Sequence, residues 1–453
     1  MDMHQTIAAW FADYGEQVRQ FAHRLWQQPE TAWQEQYACQ QTAEFLRQQG
    51  FTVETFAIGD NPAADNTVRA VYGSGHPIIG ILGEYDALDG LGQEAVPYQK
   101  PIAGPGHGCG HNLMAAFGIA AAASLKAAME AEQLSGTLVY MATPAEETLH
   151  GKVLLASMGY FDDWDLAFAW HPVGCPASFD PVVFNATTNI VFEFFGRSAH
   201  AGTPWEGRSA LDAAELMTTG IQYLREHMTP DCRVHYTFLD GGVAPNIVPD
   251  HASVYCFIRS LDANNDELVQ RVLRIAQGAA LMTDTTTSHT VKTHCRGSLP
   301  NRTLMEHSYQ AAQKVPAIVY SEEEVQFARS LYENCTGKTA PDEQEKLLPV
   351  QLHAPLPEEI VMGGSSDVGD VSYIAPTLQM IGPGCVAGGL PTHHWTVTAA
   401  AGTGIGEKAA LYGAQVIAQS ALEAFQNPDI VARCQEEFAQ TIKTVGAYQK
   451  FQG

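Results

Sequence analysis

The spacing of apolar and polar positions divides the chain into stretches of different texture. From about Met3 to Trp26, and again from Glu35 to Gln49, it reads as helix, and Gly50 stops the second. Short apolar runs then alternate with helical stretches. HPIIGILGEYD reads as a strand ending at Asp86, GTLVYMATPAEE as one ending at the Glu146–Glu147 pair, and DLAFAWHP as one ending at His171. Between the first two lie a Gly-rich loop, GPGHGCGHN, and a helix from about Leu113 to Glu130. Buried strands alternating with helices predict an α/β domain with a mainly parallel sheet.

From about Ala186 to Ser298 the texture changes. TTNIVFEFFG and ASVYCFIRS have strand character, whereas RSALDAAELMTTGIQYLREHM and NDELVQRVLRIAQGAALM have helical spacing. Two helices with about four strands predict a compact α+β insert. The expected division is therefore 1–185 for the first part of a main domain, 186–298 for the insert and 299–453 for the return. Tyr320 to Leu356 is charged and Pro-containing, and predicts surface loop and helix.

Composition adds limits. A chain of 453 residues exceeds one ordinary core, which agrees with two domains. Lys and Arg number 25 against 50 Asp and Glu, a formal charge of -25. That argues against nucleic acid or an anionic membrane as a partner, since both need a basic face. An anionic substrate would need a local cationic pocket. The N-terminal stretch has early acids and no basic run before an apolar one, unlike a secretory signal. No membrane span is expected, because Lys126 and Glu130 interrupt the Ala-rich stretch after Asn112. Nine scattered cysteines, an odd number, fit a reducing cytoplasm better than a disulfide framework.

The ionisable residues fall in a telling place. Asp86, Cys109, His111, Glu146, Glu147 and His171 follow predicted strands or open a helix, and strand carboxyl ends form the ligand crevice of open α/β sheets. Carboxylate, thiolate and imidazole are transition-metal ligands. Cys109 and His111 lie two apart among glycines, which lets both face one ion; a buried Cys and a capping His are the alternative. Adjacent Glu146 and Glu147 cannot both ionise comfortably without a cation. At a strand end they should point different ways, one to an ion and one to water; two solvated helix-start acids are the alternative. His171 before Pro172 can be a core residue, and Asp86 a turn residue. His107 reads better as a loop histidine than as a ligand. His393 and His394 stand beside Trp395, and GSSDVGDVS, with Ser365, Ser366, Asp367 and Asp370, borders a site or is plain loop. In the insert, His200 follows a strand, Asn246 lies between prolines, and Arg259 ends a strand, where it can fork onto a carboxylate or form a surface ion pair.

Taken in order, GEYDAL, GHGCGHN, PAEE, WHP, SAHAGTPWEGRSALDA, GGVAPNIVP, LPNRTL, GSSDVGDVS and THHW resemble the aminoacylase and amidohydrolase branch of the metal-dependent exopeptidases, from about Phe21 to past Gly404. The resemblance implies a zinc-exopeptidase-like catalytic domain with an inserted ferredoxin-like lid that also dimerises. It implies two divalent ions, manganese or zinc, held by Cys109, His111, Glu147, His171 and His393, the last preferred to His394 because it precedes Trp395 by two. Glu146 matches the general base and Asp86 the acid supporting the metals. His200, Asn246 and Arg259 match lid positions at the substrate, the last two at its carboxylate end. Related peptidases carry His where this chain has Glu84 and Asp where it has Cys109, although a Cys-containing branch shares this pattern. The implied reaction is hydrolysis of an N-acyl amino acid, such as an aminobenzoyl-glutamate. The alternatives are a dipeptidase of the same fold and a non-catalytic partner subunit. A homodimer, or a heterodimer with a related subunit, is expected.

Overall fold

A computed structural model describes residues 3–59 and 64–451. The chain separates into two compact units. One comprises 1–181, 299–359 and 371–448; the other comprises 182–298, 360–370 and 449–453. The residues around GSSDVGDVS thus group with the insert, because Ile360–Met362 pairs in parallel with Val182–Phe184.

The first unit is built on a six-stranded sheet. Its order is Thr52–Phe56, Thr67–Ser74, Gly136–Thr143, Ile78–Glu84, Leu166–His171 and Thr377–Ile381. The last four strands are mutually parallel, and Thr67–Ser74 runs against its neighbours. The mainly parallel α/β sheet expected from the alternating pattern is present. Strands Ile78–Glu84, Gly136–Thr143 and Leu166–His171 are almost wholly buried, which explains why they read as unbroken apolar runs.

The helix His111–Glu132 packs on this sheet with nearly every side chain from Leu113 to Met129 buried. Its alanines let helix and sheet approach closely. Lys126 and Glu130 do not interrupt it. They pair at 2.6 Å, and the Lys126 ammonium lies 4.9 Å from the centre of the Tyr72 ring. The helix is long and apolar enough to cross a membrane, yet 94% of its apolar stretch is buried within the fold. The helix expected from about Leu113 to Glu130 is present, whereas the expectation that no segment is long and apolar enough to span a bilayer is corrected: Lys126 and Glu130, an i,i+4 ion pair, leave the stretch apolar enough.

The second unit holds a four-stranded antiparallel sheet in the order Thr286–Cys295, Ala186–Phe195, His251–Ser260, Arg233–Asp240. Helices Ala210–Arg225 and Asp262–Thr283 pack on it. In chain order this is βαββαβ, the ferredoxin-like arrangement. Alternation sets its core. Ile190, Phe192, Val254, Cys256 and Ile258 are buried beneath the helices, whereas Arg233 and His235 on the outermost strand are exposed.

Candidate metal centre

Three neighbouring parallel strands and one helix start deliver the chemistry to a single sheet edge. Asp86 lies two residues beyond Ile78–Glu84, Glu146 and Glu147 follow Gly136–Thr143, and His171 ends Leu166–His171. Cys109 and His111 flank Gly110, whose φ of 82° is left-handed. A side chain at Gly110 would come within 2.7 Å of Pro172, so glycine is required for the close approach of this loop to the His171 strand.

The donor atoms converge. Cys109 Sγ is 3.2 Å from His171 Nε2. Nε2 of His111 lies 3.6 Å from Glu84 Oε2, 3.8 Å from Glu146 Oε2 and 3.9 Å from Glu147 Oε1. His393 Nε2 is 3.4 Å from Glu147 Oε2. Among the described residues, three groups of donors each lie within 4.8 Å of one another: Cys109, His111 and His171; Cys109, Glu147 and His393; Glu84, His111 and Glu146. His393 itself has a left-handed φ of 51°. His394 instead contacts Thr396 Oγ1 at 3.0 Å, beside the helix Trp395–Ala401.

Hydrogen bonds fix the orientation. Asp86 Oδ1 is 3.0 Å from His111 Nδ1, and its Oδ2 accepts the Glu147 N–H at 2.9 Å. Burial alone would raise the Asp86 carboxyl, but the bond to His111 and that ring's charge hold it below the usual range. An ionised Asp86 only accepts, so His111 Nδ1 carries a proton. Burial opposes a charge on this ring, but Cys109 and Asp86 raise it well above the usual imidazole range, and a cation bound at Nε2 would take the place of that atom's proton.

The acid pair differs from its sequence reading. The strand stops at Thr143, and Glu146–Thr148 forms one 3-10 turn. Both carboxylates therefore approach His111 Nε2, and strand alternation does not separate them. Ala145 (φ 57°, ψ 38°) and Leu149 (φ 56°, ψ 45°) bracket the turn in left-handed conformations. Each such residue costs on the order of 1–3 kcal/mol and persists only where the surroundings enforce it. Both acids are buried, with side-chain exposures of 9% and 8%, which excludes the solvated-pair alternative.

Electrostatics show what the cluster lacks. Burial, opposed by the charge of His111 and reinforced by Asp86 and Glu84, pushes the Glu147 carboxyl up to about 7. Burial, with the charges of His111 and His393, pulls His171 down to about 3. The Cys109 thiol is pushed up, first by burial and then by Glu147. Nε2 of His111 and Oε1 of Glu147 have no hydrogen-bond partner although buried. Carboxylates, thiol and imidazoles crowded together with orphaned donor atoms fit a cation-binding centre.

Two neighbours gave no clear sequence signal as parts of the site. Lys152 is fully buried, and its ammonium lies 2.6 Å from Glu84 Oε1. Glu35 is fully buried and accepts the Ala145 N–H at 2.8 Å; burial and the charge of Asp86 push its carboxyl up to about 9. A lysine within an apolar helix and a glutamate before a helix both look like surface residues in a linear reading.

The remaining candidates are placed differently. His107 is buried with Nε2 3.2 Å from Leu25 O, outside the three donor groups. Asp370 accepts the Arg296 N–H, and Ser365 Oγ lies 2.6 Å from Thr187 Oγ1, so these residues bind the insert's own backbone and side chains. His200 and Asn246 occupy adjoining loops of the second unit, joined by the Ala201 N–H to Asn246 O bond of 3.0 Å. Arg259 lies opposite Arg233 and Thr187 in the sheet, 5.5 Å from the centre of the Phe257 ring.

Known proteins share this organisation. The chain is 36% identical over 448 residues to one subunit of the p-aminobenzoyl-glutamate hydrolase of Escherichia coli, covering 93% of this chain and 92% of that one. It is 28% identical over 438 residues to the Xaa-Arg dipeptidase of Mus musculus, covering 93% and 89%. A dinuclear metal binding peptidase of the M20 family from Bacillus subtilis superposes with a TM-score of 0.59 at 18% identity, over 92% and 99% of the two chains. Residues 80–421, which contain every member of the metal-ligand cluster, match the model of peptidase family M20/M25/M40, and the chain accordingly belongs to that family of metal-dependent amide hydrolases.

Proposed function

We propose that this protein hydrolyses the amide bond of an N-acyl amino acid of the aminobenzoyl-glutamate type, using two divalent ions, manganese or zinc. The observation that carries this is the shared thiol. Cys109 belongs to two donor sets, one with His111 and His171 and one with Glu147 and His393, while Glu146 lies beside both. Thiolate with imidazole suits zinc, and the added carboxylate also suits manganese. Such ions polarise a carbonyl and lower the pKa of bound water from about 15.7 toward about 7.

The chain's own residues do the rest. Glu146 takes a proton from the attacking water and returns it to the leaving amine nitrogen. Asp86 holds the His111 ring and the Glu147 backbone. From the second unit, which acts as a lid and dimerisation module, His200 stabilises the tetrahedral oxyanion. Asn246 and Arg259 bind the substrate carboxylate, the fork geometry of Arg259 supplying the local cation that a chain of charge -25 needs.

The Escherichia coli relative is by name one subunit of a hydrolase, which supports assembly with a like-folded partner. The nine cysteines are free, in keeping with a reducing cytoplasm. The Xaa-Arg dipeptidase similarity favours a second reading, cleavage of a dipeptide by the same centre. A screen of N-acyl amino acids and dipeptides, with purified protein and added manganese or zinc, tests both. Hydrolysis of N-acyl-glutamates supports the first reading and dipeptide cleavage the second. Metal binding without turnover of either, alone or with a related subunit, would overturn both.

A further inference from the structure

The Glu146–Glu147 turn is held from behind by two buried carboxyl groups, and only Asp86 has a role so far. We propose that Glu35 is a positioning residue for the acid pair: by accepting the Ala145 N–H it locks the left-handed turn that aims Glu147 and Glu146 at the centre. This inference rests on the proposed metal-dependent reading of the site.

Glu35 immediately precedes the helix Gln36–Gln48, yet its side chain makes no capping bond to that helix. It reaches instead across 110 residues of sequence to the Ala145 N–H, at 2.8 Å. Its exposure is 0%, and Oε2 has no hydrogen-bond partner. A buried carboxyl is costly, and capping its own helix does not account for it. The bond it makes to the Ala145 N–H falls where the backbone needs enforcement. Ala145 has a φ of 57°, a conformation an L-residue leaves when nothing holds it. Two residues on, the Glu147 N–H is held by Asp86 at 2.9 Å. Glu35 and Asp86 therefore fix the donors on either side of Glu146. Without Glu35 the Ala145 N–H is orphaned in the interior, and relaxation of Ala145 swings both carboxylates that follow it.

The test compares Glu35→Gln with Glu35→Leu. Gln keeps an acceptor oxygen of the same reach; Leu keeps the bulk and removes the acceptor. Manganese affinity is measured by competition against a chromogenic chelator, alongside kcat and KM on the substrate found in the screen. Glu35→Gln binds manganese as tightly as the parent, whereas Glu35→Leu loses about 10–100-fold in affinity, as expected when support behind a ligand is removed. Its kcat falls with KM nearly unchanged, even at saturating manganese, because Glu146 is also misaligned. Should Glu35→Leu fail to fold, Glu35→Asp serves, since it retains the carboxyl but draws it back by one methylene; the same losses are expected. Parent-like affinity and turnover in Glu35→Leu, or in Glu35→Asp where that variant stands in, would overturn the proposal, as would a defect in Glu35→Gln as deep as theirs. A parent that binds no manganese or zinc would instead overturn the metal-dependent reading, and this inference with it.

Discussion

His111 Nε2 and Glu147 Oε1 face each other across 3.9 Å, and neither has a hydrogen-bond partner. Two buried donor atoms at that separation are too far apart to satisfy each other and well placed to share a cation's surroundings. Each belongs to a residue that Cys109 accompanies in a donor set.

That arrangement predicts unequal effects of ligand removal. Cys109 is common to both sets, so Cys109→Ala loses both ions. His393 belongs to one set, so His393→Ala retains one ion per chain. Elemental analysis after reconstitution and desalting reads the stoichiometry directly. Retention of two ions by Cys109→Ala would show that the thiol is not shared. Metal removal by a chelator abolishes turnover in the parent, and readdition restores it.

The buried ion pair of Lys152 and Glu84 carries a second prediction. Their side chains are 0% and 1% exposed and 2.6 Å apart. Lys152→Met leaves the Glu84 carboxyl beside Glu146 and Glu147 with no ammonium to offset it. Breaking a buried pair from one side costs about 3–5 kcal/mol. The double variant Lys152→Met with Glu84→Gln removes both charges and recovers most of that loss. Denaturant unfolding of the two single variants and the double closes the cycle, and additive losses would rule out coupling.

What could be read from the linear sequence follows from how local each signal is. The strands leading to Asp86, Glu146 and His171 are buried on both faces and so appear as plain apolar runs. Their carboxyl ends then place the ligands without further information. His393 is different: no pattern distinguishes it from His394, and only resemblance preferred it. The structure turns His393 toward Glu147 and His394 toward Thr396. The acid pair is legible in the sequence but its geometry is not, because a strand ending at Thr143 and a left-handed Ala145 are set by contacts distant in sequence. Glu35 and Lys152 escaped for the same reason. Their partners lie 110 residues away in one case and across the sheet edge in the other, and neither separation leaves a periodic trace.

Arg259 supplies a third prediction. Arg259→Ala removes a charge-assisted fork from the proposed carboxylate site. Bonds to charged groups contribute about 1.5–3 kcal/mol, which corresponds to a rise in KM of roughly 10–100-fold for N-acyl amino acids. Arg259→Lys keeps the charge but not the fork and recovers only part of this. Substrate amides lacking the free carboxylate should be hydrolysed equally by the parent and both variants. A uniform loss on all substrates would assign Arg259 a structural role in its sheet.

Glu146 is the sharpest case, because its neighbour performs a different task a single residue away. Both carboxylates approach His111 Nε2, at 3.8 and 3.9 Å, so distance to that ring does not separate them. Their other contacts do. Glu147 also meets His393 at 3.4 Å and shares a donor set with Cys109, which marks it for a cation. Glu146 belongs only to the set without Cys109, with Glu84 and His111, and does not share the thiol. Glu146→Gln keeps size and hydrogen bonding but removes the basic carboxylate. It should retain two ions and the parent's unfolding midpoint while kcat falls by about 10²–10⁴, the usual contribution of general acid–base catalysis. Glu147→Gln should lose metal first, and its activity should recover in part at high metal concentration. Metal occupancy and turnover measured on both variants distinguish the roles. Unchanged turnover in Glu146→Gln would sink the mechanism, and metal loss confined to that variant would show that the two glutamates have exchanged tasks.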